Sequence, residues 1–218
     1  MKKTIVKICG NQSYADVHTS VAAGVDYIGF IFAESKRRVD PLEVSTWLKQ
    51  LPKKNGYEVV GVFVNPTLHD LAEILAKVDL DVIQLHGKEP PSFVKEVQQK
   101  LSQKIWKALH YHEGVLDEMK RYVSFVDGFV IDSKVQGKWG GTGVSFHWKD
   151  VPKYNQFAEK NNKICLIAGG INPTNVQSLI EKGVMGIDLA SGVERNGQKD
   201  PKLMQTLLER MNRGGTIS

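Results

Sequence analysis

Short apolar runs rich in β-branched residues alternate along this chain with longer stretches whose apolar positions recur every three or four residues. The short runs, at 4–9, 27–32, 58–64, 82–85, 105–108, 128–131, 164–168 and 186–189, read as strands. The longer stretches read as helices at 13–23, 41–50, 68–77, 92–101 and 114–122, with another inside 146–160. Ser13 opens the first of these and Gly24 stops it. The last two helices carry the same start signal, Asn172 then Pro173 and Asp200 then Pro201, with Gly183 and Gly214 beyond their ends.

Strand and helix alternating through eight units predict parallel strands joined by right-handed crossovers, and eight is the number that closes a (β/α)8 TIM barrel. An open doubly wound sheet is the competing arrangement. It is disfavoured because no GxGxxG turn follows the first strand. No linker divides the chain, so residues 1–218 are expected to form a single catalytic barrel domain.

Composition narrows the setting. At 41% hydrophobic and 24% charged, the 218 residues have an ordinary globular balance, and no apolar run reaches the ~20 residues of a membrane span. The opening MKKTIVKICG is basic, but Lys7 and Asn11 interrupt what would be an export signal's apolar core. Two cysteines outside any metal or disulfide spacing fit reduced thiols in the cytoplasm. The net charge of +5 suits attraction of an anionic metabolite, while the short basic cluster 36–38 lacks the aromatic interleaving of a nucleic-acid surface. The expected partner is therefore a small phosphorylated molecule, without nucleic acid or membrane, for a monomer or homodimer.

In such a barrel, chemistry gathers where strands end, and those ends are polar here: Cys9, 35–38, Asn65, His86, Asp132, Gly169 with Gly170, and Ser191 with Gly192. Cys165, between Ile164 and Leu166, reads as a buried apolar residue. Cys9 sits at a strand exit before Gly10, where packing and chemistry compete as explanations. Alternation places Ile5, Lys7 and Cys9 on one strand face, and barrel closure brings Asp188 beside them, so Lys7 and Asp188 are expected to pair beneath Cys9. Asp132 ends an apolar run before a glycine-rich segment and serves either as a loop cap or as an acid whose pKa burial must raise. His86 has no second ligand at metal spacing in the sequence. The guanidinium of Arg37 has the planar fork that suits a carboxylate. The glycines after strands seven and eight fit a phosphate site built from backbone amides.

These residues lie in motifs that resemble the phosphoribosylanthranilate isomerases of tryptophan biosynthesis, most of all the bacterial monofunctional form. The resemblance runs through KICG at 7–10, GFIFAESKRRV at 29–39, VGVFVN at 60–65, IQLHG at 83–87, GGTG at 140–143, AGGINPTNV at 168–176 and GIDLASGVE at 186–194. It implies an Amadori rearrangement with Cys9 as general base, Asp132 as general acid and Arg37 on the anthranilate carboxylate. His86 and Asp188 join the substrate contacts, and Gly141, Gly170, Ser191 and Gly192 the phosphate contacts, the glycine-rich 137–143 acting as a lid. Neither metal nor cofactor is called for. The scheme asks burial and neighbours to move Asp132 upward and Cys9 downward, with Lys7 one source of the latter. Arg38 is the alternative to Arg37 by motif register. Asn11 and Gln12 depart from the residues that commonly follow KICG. A phosphosugar ketol isomerase or epimerase, and a silent phosphate-binding barrel, are the competing functions; the first commonly relies on paired carboxylates or a metal, whereas this mouth offers a thiol and one acid.

Overall fold

The computed structural model describes residues 3–51, 56–133 and 148–213. Eight parallel strands close a barrel in chain order: β1 (Ile5–Ile8), β2 (Tyr27–Ile31), β3 (Glu58–Phe63), β4 (Val82–Leu85), β5 (Lys104–His110), β6 (Gly128–Asp132), β7 (Ile164–Ala168) and β8 (Gly186–Leu189). Closure comes from β8 pairing back onto β1, with Lys7 opposite Asp188. The helices are α1 (Tyr14–Ala22), α2 (Pro41–Gln50), α3 (Leu68–Leu75), α4 (Pro91–Lys100), α5 (Val115–Tyr122), α6 (Val151–Lys160), α7 (Val176–Ile180) and α8 (Pro201–Arg213). A two-stranded hairpin, β9 (Glu194–Arg195) with β10 (Gln198–Lys199), lies between β8 and α8.

Side-chain caps close the starts of the first three helices and of the last, where the Leu203 amide donates to Asp200. Ser13 accepts from the Asp16 amide, Asp40 from Leu42 and Glu43, and Thr67 with Asp70 forms a reciprocal box, each such cap contributing about 1 kcal/mol. The seventh helix differs from expectation. Asn172 Oδ1 accepts from the amide and hydroxyl of Thr174, and Asn175 Oδ1 accepts from the Asn172 amide, which locks 172–175 in turns. The helix begins only at Val176.

Strand alternation builds two cores. Val6, Ile8, Ile28, Phe30 and their counterparts face the helices. Val60, Val82, Trp106, Ala108, Val130, Leu166 and Ala168 fill the barrel interior, with Ile5 and Tyr27 against them. Trp106 meets Tyr27 edge-on at 4.7 Å and plugs the lower interior. A fourfold rhythm ties the strands at their entry ends: Asp26, Asp81 and Asp127, each just before an even-numbered strand, accept from the amides of Val6, Val59 and Ile105 at 2.8, 2.7 and 2.8 Å. In the fourth pair Met185 Sδ takes that place, accepting from Cys165 at 3.1 Å.

Candidate active site

Above the apolar interior the inward positions turn polar, because each strand's alternation continues to its exit. Lys7, Gln84, Asp132 and Asp188 are all buried in this upper layer. Register places Asp132 level with His110 on one side and Ala168 on the other, and Ala168 level with Asp188, itself level with Lys7. Over that layer opens a cavity whose wall includes Cys9, Arg37, His86, Asp132, Asp188 and the 168–171 and 189–192 loops.

Lys7 and Asp188 make the expected pair: Nζ donates to Oδ2 at 2.8 Å with the ammonium fully buried. Burial works against the Lys7 charge, but attraction to Asp188 and then to Cys9 outweighs it and holds the ammonium above its ordinary pKa. Asp188 Oδ1 is buried and has no partner among the described residues. Removing one member strands the other, so Lys7→Met is expected to lose about 3–5 kcal/mol in denaturant unfolding. Lys7→Met/Asp188→Leu should regain most of it; a single variant as stable as wild type would show that the pair is not needed.

Cys9 departs from expectation. Burial pushes its thiol above the ordinary value, and Lys7 recovers only part of the shift, while the charge of Asp188 opposes a thiolate. The Lys7 side chain nevertheless lies beside the thiol, next to Gly29. Both fit because Gly29 lies beside them: a Cβ there would come within 2.9 Å of Cys9 Sγ and 3.2 Å of Lys7 Cε.

On the opposite wall, Asp132 is 9% exposed and faces His86, whose Nε2 is 3.4 Å from Oδ2. Gly169, at φ +91, leaves room for this carboxylate, since a Cβ would stand 2.8 Å from Oδ1 and would collide with Ser133. The sequence gives no companion to His86 at metal spacing, but the fold supplies one. His110 sits with its ring centroid 5.5 Å from that of His86, and the ligand atoms of His86, His110 and Asp132 all fall within 4.8 Å of one another. Burial, followed by His86, lowers the His110 pKa.

Arg37 reaches the cavity from the β2 exit, and its Nε and Nη2 donate to the two oxygens of Glu194 at 2.9 and 2.6 Å. Arg38 lines a separate surface hollow instead. Glu194 is shared with the buried Lys199, whose Nζ donates to it at 2.7 Å and to the carbonyls of Cys9 and Ala190. Burial alone would raise the Glu194 pKa, but Arg37 and Lys199 carry it below its ordinary value. Gly170, Ser191 and Gly192 border the cavity as expected. Gly141 and the 137–143 segment lie outside the described residues. Asn11 is fully buried and ties the first loop together by donating to the Ile8 and Gly29 carbonyls.

Sequence reasoning passed over Gln84, which lines the cavity, and over His110, Glu194 and Lys199, which stand outside its lining and contact His86, Arg37 and Cys9. His110 was within reach, because the inward alternation Trp106, Ala108, His110 simply continues the strand.

A closed barrel whose exit ends converge a thiol, a carboxylate, an imidazole and a guanidinium on one cavity is the architecture of a (β/α)8-barrel enzyme. The chain belongs to the N-(5'-phosphoribosyl)anthranilate isomerase family, whose model matches residues 6–210. It is 49% identical to the N-(5'-phosphoribosyl)anthranilate isomerase of Bacillus velezensis over 218 residues, all of each chain. Among solved structures it is similar to the phosphoribosylanthranilate isomerase of Thermotoga maritima, with TM-score 0.83 and 29% identity over 97% of this chain and 100% of that one. A phosphoribosylanthranilate isomerase in complex with reduced 1-(o-carboxyphenylamino)-1-deoxyribulose 5-phosphate matches with TM-score 0.80 and 27% identity, again over 97% of this chain and 100% of that one.

Proposed function

We propose that this cavity isomerises N-(5'-phosphoribosyl)anthranilate to 1-(2-carboxyphenylamino)-1-deoxyribulose 5-phosphate in tryptophan biosynthesis, with Asp132 as acid and Cys9 as base. The observation that carries the reading is that Cys9, just past the end of β1, and Asp132, the last residue of β6, line the same cavity from opposite sides of the barrel.

Asp132 gives a proton to the furanose ring oxygen, which takes the electron pair of its bond to C1' as the anthranilate nitrogen forms a C=N bond. Cys9, as thiolate, removes the C2' proton, and the freed pair forms C1'=C2' and neutralises the iminium to an enolamine. Tautomerisation takes one proton from the C2' oxygen and adds one at C1'. That count lets Asp132 and Cys9 recover their starting states. The raised thiol pKa makes the ready form, thiolate with protonated Asp132, a minority species, and the iminium formed nearby favours thiolate when it is needed.

Gly170, Ser191 and Gly192 hold the phosphate, and Asp188, through the oxygen that Lys7 leaves unpartnered, serves the sugar hydroxyls with the His86 ring. Gly141 belongs to the same phosphate group in this reading. Arg37 takes the anthranilate carboxylate with the guanidinium edge that Glu194 leaves open, so Glu194 orients the fork without filling it. Arg37→Lys keeps the charge and loses the fork; KM is expected to rise about tenfold with kcat within a few-fold. An unchanged KM would move the carboxylate elsewhere.

One chain carries every residue named, so a monomer or a homodimer can work, and reduced cysteines suit the cytoplasm. No helix among the described residues is long and apolar enough to cross a membrane. Expression in a bacterium lacking the isomerase tests the reading: wild type should restore growth without tryptophan and Asp132→Asn should not. Failure of a well-expressed wild type would refute it.

A further inference from the structure

We propose that His86, His110 and Asp132 form a binding site for a divalent transition metal of the zinc class, and that occupying it shuts the isomerase off. The site stands on geometry alone, while its inhibitory consequence rests on the acid role given to Asp132.

Ligands held at ~2.0–2.1 Å around a tetrahedral ion stand ~3.3 Å apart. His86 Nε2 and Asp132 Oδ2 are 3.4 Å apart, long for a hydrogen bond and close to that tetrahedron edge. Two imidazoles on one such ion have centroids ~5 Å apart. Those of His86 and His110 are 5.5 Å apart. With all three ligand atoms inside 4.8 Å, small side-chain rotations close the set. The supports are stiff, since His110 is level with Asp132 in the β5–β6 register and His86 follows the end of β4.

Gln84 supplies an independent sign. It is 1% exposed, its Oε1 has no hydrogen-bond partner among the described residues, and its Nε2 lies 3.4 Å from His86 Nδ1. An amide can be turned over without changing its shape. With oxygen in place of nitrogen, Gln84 accepts from Nδ1–H and leaves the Nε2 lone pair directed at Asp132. An acceptor behind a metal-binding imidazole is the usual support for its orientation. Two imidazoles and one carboxylate leave a fourth position for water, the common zinc pattern with an open place. A carboxylate bound to the ion cannot deliver a proton to a ring oxygen, so metal and turnover exclude each other.

The experiment titrates EDTA-stripped protein with Zn2+ by calorimetry and follows isomerase rate in parallel, for wild type and His110→Ala. One equivalent should bind wild type, and that equivalent should remove at least nine-tenths of the activity, restored by EDTA. His110→Ala should keep the basal rate, bind Zn2+ at least tenfold more weakly and stay active at the same Zn2+ concentration. Equal binding by both proteins would put the metal elsewhere, Cys9 included, and overturn the site, as would no stoichiometric binding. Binding at wild-type strength without loss of rate would overturn the inhibition. If the metal-free wild type has no isomerase activity, the functional reading fails, and calorimetry still decides the site.

Discussion

Asp132→Asn is expected to lower kcat by about 10³–10⁴-fold while KM stays within a few-fold. The size follows from what the carboxyl does. Ring opening expels an alkoxide unless a proton arrives with the breaking bond, and an amide of the same shape cannot deliver one. The conservation of KM follows from packing. Asn keeps the volume that Gly169 and Ser133 leave for the side chain and can still face His86, so the cavity keeps its form. Steady-state kinetics with a thermal melt separates the two quantities. A loss below tenfold in a folded variant would take the acid role away from Asp132.

Cys9→Ser should cost about 10²–10⁴-fold in kcat, because a hydroxyl at the same place is far too weakly acidic to offer an anionic base. Stability should change little, since Ser fits beside Gly29 and next to the Lys7 side chain. The wild-type pH profile carries the same chemistry. With the base pKa above that of the acid, the product of the two active fractions is flat between them and falls on either side. The alkaline fall of kcat/KM should therefore lie above the ordinary thiol value of 9.0, since burial raises Cys9. A fall near pH 7 would mean that Cys9 ionises far more easily than its buried setting allows.

The barrel was legible because β-branched runs and Gly or Pro boundaries repeat in register with helical periodicity, and the strand order follows once eight units close. The Lys7–Asp188 pair was legible for a related reason: alternation turns both inward and closure makes their strands neighbours. Other features depend on balances or distances that the sequence does not display. The Cys9 thiol is set by burial against two opposite charges, and only the three-dimensional arrangement shows that burial outweighs the help from Lys7. Glu194 meets Arg37 across 157 positions, through a hairpin too short to leave a periodic signal. The start of α7 was misread because an Asn-Pro pair caps a helix in one setting and closes a turn in another, and the side chains of Thr174 and Asn175 decide between them.

The central claim is that one acid and one thiol across this barrel mouth convert a fluorescent phosphoribosylanthranilate. Generating that compound in situ and following its fluorescence with purified protein in EDTA tests this most directly. Wild type should accelerate the loss of signal, with Asp132→Asn and Cys9→Ser each reduced by orders of magnitude in the folded state; equal rates in wild type and either variant would contradict the account.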